Sequence, residues 1–311
     1  MAYRYILDNR KPHKKFTCPD CNKPKSFVRY IDTTNDAYLP DKYGRCDREI
    51  NCGYHLNPYK DGYAKDNIEQ PFKPIFKRRI ILPPPATPSF VTNDVFTPSL
   101  SNYGVNNFVQ FLIKYFGETV ATHLVERYYI GTSKYWSGAT VFWQIDTAKR
   151  IRTGKIMLYN SQTGKRIKEP ENHINWVHSV LKLPAFNLKQ CLFGEHLIKE
   201  HPDKPVAIVE SEKTAIIASA YLPEYTWMAA GSLTNLSPEK CEVLSKKNVT
   251  LFPDLNCFDK WSERATQLSP ITKFVISDLL EKNATKTERQ KGLDLADYLI
   301  ALHSHKNIYS S

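Results

Sequence analysis

The hydrophobic pattern of the last third of the chain alternates between short apolar runs and longer amphipathic stretches. The first of these apolar runs is QCLFG, the last is KFVIS, and VAIV and VTLF lie between them. Helical segments such as SEKTAIIASAYL separate the runs. Apolar runs this short between helical patterns are typical of buried parallel strands. Regular alternation of strands and helices implies a mostly parallel sheet with right-handed crossovers. We therefore predict an α/β domain over residues 190–311.

The segment before it, residues 99–189, mixes helical and strand patterns. NNFVQFLIKYFG and GETVATHLVERYYIG carry apolar residues at helical spacing and stop at Gly117 and Gly131. Glycine at these positions predicts two helices with glycine C-caps. ATVFWQID and RIRTGKIMLYN alternate apolar and polar residues, which predicts a β-hairpin. This part of the chain is predicted to form a small α+β subdomain.

Residues 61–98 have the composition of a linker. The stretch PFKPIFKRRIILPPPATPSF is rich in proline and contains three consecutive prolines. Consecutive prolines favour an extended, polyproline-like path. We expect no helix in this range.

Four cysteines in residues 1–60 have the spacing of metal ligands. Cys18 and Cys21 form a C-x₂-C knuckle, and Cys46 and Cys52 form a C-x₅-C knuckle. Four thiolates fill the closed tetrahedral shell of a structural Zn²⁺, so this spacing predicts a zinc ribbon whose folding depends on the metal. The wide second knuckle leaves an alternative in which His55 replaces Cys46 or Cys52. The intervening KSFVRYID is predicted to be a strand of the ribbon.

Charge and composition bear on the partners of the protein. With 43 Lys and Arg against 32 Asp and Glu, the 311-residue chain has a formal net charge of +11. This excess favours a polyanionic partner, with nucleic acid as the first candidate. No apolar run approaches the length of a membrane span, and the N-terminal residues lack the apolar core of a secretory signal. The metal-ligand spacing of the cysteines favours a zinc site over disulfides, which predicts that the protein is located in the reducing cytoplasm.

Carboxylates follow two of the predicted parallel strands. Glu210 ends the run PVAIV, and Asp254 ends the run VTLFP. Since ligands of such sheets bind beyond the carboxyl ends of the strands, we expect both acids at one edge. Asp294 and Asp297, in GLDLAD, add two more carboxylates. One acid of this kind is typical of a helix cap, but several together favour Mg²⁺, which prefers oxygen ligands.

The order of these motifs resembles that of Toprim domains. VAIVESEKTA is similar to the first Toprim motif, in the Glu-Gly-Glu-Lys form found in primase-like proteins of phages and plasmids. Gly231 stands where the family has a glycine after its second strand. LFPDLN resembles the Asp-x-Asp strand end, and GLDLADYL resembles the acidic element that follows it in primases. The whole chain looks similar to zinc-ribbon, Toprim-like proteins of bacterial mobile elements, which implies a Rossmann-like sheet.

The resemblance implies a role for each matching residue. Glu210 would be the general acid/base, and Asp254 would be a ligand of the Mg²⁺ or Mn²⁺ used in phosphoryl transfer. The second Asp of Asp-x-Asp is Asn256 here, whose amide oxygen brings no charge to a metal. Two nearby acids, Asp259 and Glu212, are candidates to compensate. Ser211 and Thr214 also depart from the residues usual in the family.

Basic residues are predicted to contact phosphates. The candidates are Arg150, Arg152, Lys155 and Lys213.

Three functional hypotheses follow. The first is a DNA primase-like nucleotidyltransferase that makes primers on single-stranded DNA for a mobile element or phage, with nucleotides as substrates and a helicase or other replication protein as a partner. The second is a Toprim metal-dependent nuclease, because the same carboxylates serve cleavage. The third is a non-catalytic, zinc-dependent nucleic-acid-binding or replication accessory protein, in which Asn256 records a lost metal site.

Overall fold

The computed structural model describes residues 3–10, 14–67 and 87–308, with side chains described as far as residue 302. The chain divides into two compact units, residues 1–83 and 84–311. Half of the predicted linker, residues 68–86, lies outside the described residues. At its described ends the structure has two short helices, α1 (Tyr63–Asp66) and α2 (Asn93–Ser99), so the prediction of no helix in this range is wrong there.

The first unit is an antiparallel ribbon. Its four strands lie in the order β1-β2-β3-β4, and they span Tyr5–Leu7, Phe27–Asp32, Gly44–Cys46 and His55–Leu56. The strand predicted from KSFVRYID is β2. A side chain at Gly44 would meet the Phe27 ring and the backbone of Val28, because its Cβ would lie 2.4 Å from each. This close approach allows the Phe27 ring to pack beneath the cysteines.

The second unit begins with helices that cover a sheet. After α2, a 3₁₀ turn leads to α3 (Asn107–Phe116) and α4 (Glu118–Arg127). The Asn106 side chain begins α3 by accepting the backbone N–H groups of Phe108 and Val109. Gly117, with φ of 80°, ends α3 as the sequence predicted. The helix α4 ends at Arg127, before the predicted stop at Gly131, which begins the next strand.

The sheet beneath these helices is antiparallel, in the order β5-β6-β7-β8. Its strands span Gly131–Ser133, Ala139–Ile145, Ile151–Met157 and Ile174–Trp176. The predicted hairpin is β6 and β7, and every residue in both strands is buried. Phe142 packs in the core that contains α3, whereas Trp143 packs in a second core on the opposite face. Both faces of the hairpin are therefore covered, and a short helix α5 (Val177–Val180) follows β8.

The last part of the chain forms the predicted parallel sheet. Four strands, all paired in parallel, lie in the order β10-β9-β11-β12. Along the chain they are β9 (Val206–Val209), β10 (Thr226–Ala229), β11 (Val249–Leu251) and β12 (Phe274–Ile276). The run QCLFG is not a strand of this sheet, since it contributes a single bridge between Phe193 and Ala229. The architecture is mixed α/β, as predicted.

Seven helices accompany the described strands of this sheet. They are α6 (Leu197–Glu200), α7 (Glu212–Tyr221), α8 (Pro238–Cys241), α9 (Phe258–Leu268), α10 (Leu279–Asn283), α11 (Lys286–Lys291) and α12 (Leu295–Ile308). The Ser211 side chain begins α7 by accepting the backbone N–H of Thr214. Within the described part of the chain, no helix is both long enough and apolar enough to cross a membrane.

Candidate active site and metal centre

The four predicted zinc ligands meet in the first unit. The sulfur atoms of Cys18, Cys21, Cys46 and Cys52 all lie within 4.8 Å of one another. The Sγ atoms of Cys18 and Cys52 are 3.7 Å apart, and those of Cys21 and Cys46 are 4.0 Å apart. Zn–S bonds of about 2.3 Å in a tetrahedron place neighbouring sulfur atoms about 3.8 Å apart. The cluster therefore fits Zn²⁺.

His55, the alternative ligand, lies outside this cluster. Its side chain is exposed, and its Nε2 is 3.0 Å from the hydroxyl of Tyr30. The imidazole stacks on the Tyr30 ring, with an interplanar angle of 9°. The alternative in which His55 replaces a cysteine is therefore wrong, because β4 places this histidine beside Tyr30.

Glu210 and Asp254 extend from neighbouring parallel strands. Glu210 directly follows β9, Asp254 lies shortly beyond β11, and the two strands pair in parallel. Burial raises the pKa of Asp254 well above its ordinary value, and the negative charges of Glu210 and Asp294 raise it further, whereas Lys213 lowers it. The structure thus brings the acids together at one edge of the sheet, where their repulsion would be relieved by a bound cation.

Asp294 and Asp297 interact with donors of the chain itself. The backbone N–H of each donates to the carboxylate of the other, over 3.1 and 2.9 Å, at the start of α12. The Thr214 hydroxyl donates to Asp294 over 2.9 Å. Lys213 Nζ lies 3.8 Å from Asp294 Oδ2 and 4.0 Å from Asp297 Oδ1. In this arrangement the two acids cap a helix and are balanced by Lys213, so their assignment as magnesium ligands stays a prediction.

Asn256 and Asp259 lie beside this edge of the sheet. The Asn256 side chain donates to the backbone carbonyl of Arg289 over 2.7 Å, and its backbone N–H donates to Glu281 over 2.9 Å. Asp259 is exposed in the first turn of α9. Together with Phe258, these residues line a cavity of about 440 Å³. Among the described acids, histidines and cysteines, the four cysteines are the only group of three or more residues whose ligand atoms, one per residue, all lie within 4.8 Å of one another.

Lys155 and Glu212 form a buried ion pair. Lys155 Nζ lies 3.1 Å from both carboxylate oxygens of Glu212 and donates to the carbonyl of Gly231 over 2.9 Å. Lys155 is 8% exposed and Glu212 is 1% exposed. The pair connects the antiparallel sheet to the start of α7, and Gly231 adopts a φ of 88°. Lys155, predicted to contact phosphate, is thus fully engaged with protein groups, and the carboxylate of Glu212, a candidate to compensate for Asn256, is paired with Lys155.

Replacing Lys155 is expected to destabilise the second unit. In Lys155→Met the Glu212 carboxylate stays buried without its cation, which costs about 3–5 kcal/mol. The double variant Lys155→Met with Glu212→Leu should recover most of that loss, because no charge is left buried. Urea unfolding followed by tryptophan fluorescence measures the effect, with exposed Lys134→Met as the matched control. Equal midpoints for Lys155→Met and Lys134→Met would contradict the importance of the pair.

Arg150 and Arg152 converge on one carboxylate. Their Nε atoms donate to Asp146 Oδ2 over 2.9 and 2.8 Å. Their guanidinium groups lie over the ring of Phe90, at 5.0 and 4.9 Å from its centre. Burial raises the pKa of Asp146, but hydrogen bonds from Arg150 outweigh this effect and the pKa is lowered. Both arginines therefore lie on a preorganised, basic end of the hairpin.

Sequence reasoning did not identify the partners that fix these side chains. Lys155 and Glu212 are far apart in the sequence, and no local pattern signals their pairing. The hydrogen bond from Thr214 to Asp294 likewise joins two motifs that sequence reasoning treated separately. One signal was available in the sequence: β7 contains charged residues, whereas its other residues are of types that suit a core. Charged residues in such a strand indicate that they need partners inside the protein.

Comparisons with known proteins give two matches to family models and several similar structures. A domain of unknown function (DUF6371) matches residues 106–255. No curated protein matches the sequence. The primase fragment of the bacteriophage T7 primase-helicase protein is 11% identical, with a TM-score of 0.38, over 90% of this chain and 98% of that one. The Aquifex aeolicus primase (zinc-binding and RNA polymerase domains) is 11% identical, with a TM-score of 0.37, over 97% and 79%.

A third solved structure and the second family model complete the comparison. The DnaG primase catalytic domain bound to ssDNA is 13% identical, with a TM-score of 0.41, over 65% of this chain and 80% of that one. The family model of a zinc beta-ribbon finger matches residues 3–69. This range contains the four-stranded ribbon and all four clustered cysteines. The N-terminal part of the chain is therefore a zinc ribbon, with the cysteine cluster as its structural metal centre.

Proposed function

We propose that this protein is a Toprim-type nucleotidyltransferase that synthesises primers on single-stranded DNA with a divalent metal. The observation that carries the proposal is the placement of Glu210 and Asp254 at the carboxyl edge of two adjacent parallel strands, where burial and then the charge of Glu210 raise the pKa of Asp254. Acids with perturbed pKa values at such an edge are typical of catalytic centres. The zinc ribbon and the net charge of +11 also suit a protein that acts on nucleic acid.

Glu210 and Asp254 fit Mg²⁺ or Mn²⁺ by the chemistry of their donor atoms. Two neighbouring carboxylates that repel each other offer hard oxygen ligands and gain from a cation between them. A metal bound there would lower the pKa of a 3′-hydroxyl and neutralise charge on the attacked phosphate. Asp294 and Asp297 fit less well, because Lys213 already faces both of them.

The roles of the chain's own groups follow from their positions. Glu210 is proposed to accept the proton of the attacking hydroxyl, since it lies at the end of a rigid strand. Asp254 is proposed to be a ligand of the divalent metal. Lys213 holds Asp294 and Asp297 in place and supplies positive charge beside the reacting phosphate. Arg150 and Arg152 are the proposed contacts for nucleotide phosphates, and a helicase or other replication protein is a proposed partner.

A non-catalytic nucleic-acid-binding protein is the second candidate, because a specific observation favours it. Asn256 stands where the resemblance implies a second aspartate, and its amide is committed to the carbonyl of Arg289. In this arrangement Asn256 brings no negative charge to the carboxylate edge. The second candidate differs from the first in predicting nucleic-acid binding without turnover.

The deciding experiment is an assay of the zinc-loaded full chain with single-stranded DNA, ribonucleotides and Mg²⁺ or Mn²⁺. New short RNA products are expected, and Glu210→Gln should reduce them by about 100-fold or more, since general acid/base groups contribute roughly 10²–10⁴-fold. Exposed Glu224→Gln is the matched control and should retain activity. DNA fragments that depend on Glu210 would instead establish a nuclease. Zinc-dependent binding with neither product would establish the second candidate.

A further inference from the structure

A second polar cleft lies at the basic end of the hairpin, separate from the carboxylate edge. It has a volume of about 330 Å³ and is enclosed by the end of β6, the start of β7, residues 189–195 and the start of α8. Its lining contains Arg152 and Lys240 but none of the acids at the carboxylate edge, such as Glu210 and Asp254. This volume lies at the lower end of the roughly 300–1,000 Å³ typical of small-molecule sites.

Two buried cations in this cleft have unused hydrogen-bond donors. Arg152 is 9% exposed, and its Nη1 is buried with no hydrogen-bond partner among the described residues. Lys240 is 5% exposed, and its Nζ donates to Gln190 over 3.2 Å. An ammonium group carries three N–H donors and a guanidinium group carries five. Asp146 balances the charge of Arg152, but a buried N–H donor without an acceptor is still unfavourable, and the oxygen atoms of an anion in the cleft would supply acceptors to both cations.

The acids that line the interior of the cleft are already satisfied. Asp146 Oδ1 accepts the backbone N–H groups of Ala148 and Arg150, and its Oδ2 accepts both arginine side chains. Glu195 accepts the backbone N–H groups of Thr147 and Leu192 over 3.2 and 3.3 Å. The interior of the cleft thus has spare donors, whereas both of these acids already accept hydrogen bonds from protein groups.

The rim of the cleft limits what kind of anion enters. Glu239 and Glu242 are exposed at the cleft together with Lys189 and Arg150, so the rim offers no excess of positive charge to an extended polyanion such as a nucleic-acid strand. A compact anion that reaches past them meets Arg152 and Lys240. Burial lowers the pKa of Lys240 to about 8, so its ammonium form gains from a neighbouring negative charge.

We propose that this cleft binds the phosphate groups of a small, nucleotide-sized molecule, with Arg152 and Lys240 as the central contacts. Arginine suits phosphate because its planar donors match two oxygens at once, and lysine adds a point charge. Phe90 supports the guanidinium of Arg152, which keeps it oriented before the ligand arrives. The inference rests on the proposed function in one respect, since Arg152 is a proposed phosphate contact in both. Binding in this cleft needs no catalytic turnover.

The test measures binding by calorimetry of the zinc-loaded full chain in buffer without added divalent metal. The probes are tripolyphosphate, ATP and oligo(dT). Tripolyphosphate and ATP are expected to bind, and Lys240→Met should weaken both by about tenfold or more, the effect of losing a hydrogen bond from a charged donor. Exposed Lys199→Met, in α6, is the matched control and should bind as the parent protein does.

Further arms separate this proposal from the proposed function. Glu210→Gln should bind ATP normally even though its primer synthesis is expected to fall by about 100-fold or more, so a failure of catalysis leaves binding in the cleft intact. Hydrogen exchange of the parent protein should slow in residues 146–152 and 238–243 when ATP is added. This measurement tests the proposal even if Lys240→Met folds poorly. No binding of either phosphate compound, or equal binding by Lys240→Met, would overturn the proposal. Tighter binding of oligo(dT) that depends on Lys240 would overturn the small-molecule ligand.

Discussion

Removal of zinc is expected to unfold the N-terminal ribbon and to leave the second unit folded. The ribbon has two small clusters of buried side chains, one of which consists of Phe27 packed among the cysteines. A segment with so little apolar core depends on its metal, and structural zinc contributes about 10–16 kcal/mol of apparent binding free energy in zinc-finger peptides at neutral pH. The second unit has its own large cores and contains none of the zinc ligands.

The five tryptophans of the chain make this prediction measurable, because all of them lie in the second unit. Chelation should therefore abolish the near-ultraviolet circular dichroism of the ribbon tyrosines and leave the urea midpoint seen by tryptophan fluorescence unchanged. Cys46→Ser should purify with much less than one zinc per chain and show the same loss. His55→Ala is the matched control, and it should retain about one zinc. A zinc-free chain with an intact ribbon would contradict the prediction.

The parts of the site that sequence reasoning located share a simple physical basis. The cysteine knuckles are local in sequence, so their spacing alone predicts a common metal. Glu210 and Asp254 follow apolar runs, and parallel strands place the residues after their carboxyl ends on one edge. Neither inference needs any knowledge of packing. The fold class and the hairpin were predictable for the same reason, since both depend on periodicity.

The parts that sequence reasoning missed depend on contacts between distant segments. Lys155 is predicted as a phosphate contact, yet both faces of β7 are covered and Lys155 is buried against Glu212. Lys240 lies in a short helix with no pattern that marks it as buried. Asn256 shows only a missing charge in the sequence, whereas the structure shows its amide bound to the carbonyl of Arg289. Each of these outcomes was decided by tertiary packing, which periodicity does not encode.

Replacing Asp254 with asparagine is expected to stabilise the metal-free protein at neutral pH and to reduce any primer synthesis strongly. Burial and the nearby charge of Glu210 raise the pKa of Asp254 in the folded state above its value in the unfolded chain. The folded state therefore binds this proton more tightly, so the stability linked to it is fully present at acid pH. That stability is lost as the pH rises through the folded-state pKa, and each tenfold difference between the acid dissociation constants of the folded and unfolded states contributes about 1.4 kcal/mol to the loss.

Asp254→Asn removes this loss, because an amide does not ionise. Its unfolding free energy should exceed that of the parent protein at pH 8, and the difference should shrink towards pH 4. Urea unfolding followed by tryptophan fluorescence, in buffer without divalent metal, measures both values, with exposed Asp203→Asn as the matched control.

Added Mg²⁺ should raise the stability of the parent protein but not that of Asp254→Asn, and the variant should lose about 100-fold or more of any primer synthesis. Greater stability of the variant would show that the Asp254 carboxylate is kept at a cost to the fold, which is typical of residues in functional sites. A variant that is less stable than the parent protein at pH 8 would contradict this account and would assign Asp254 to the fold.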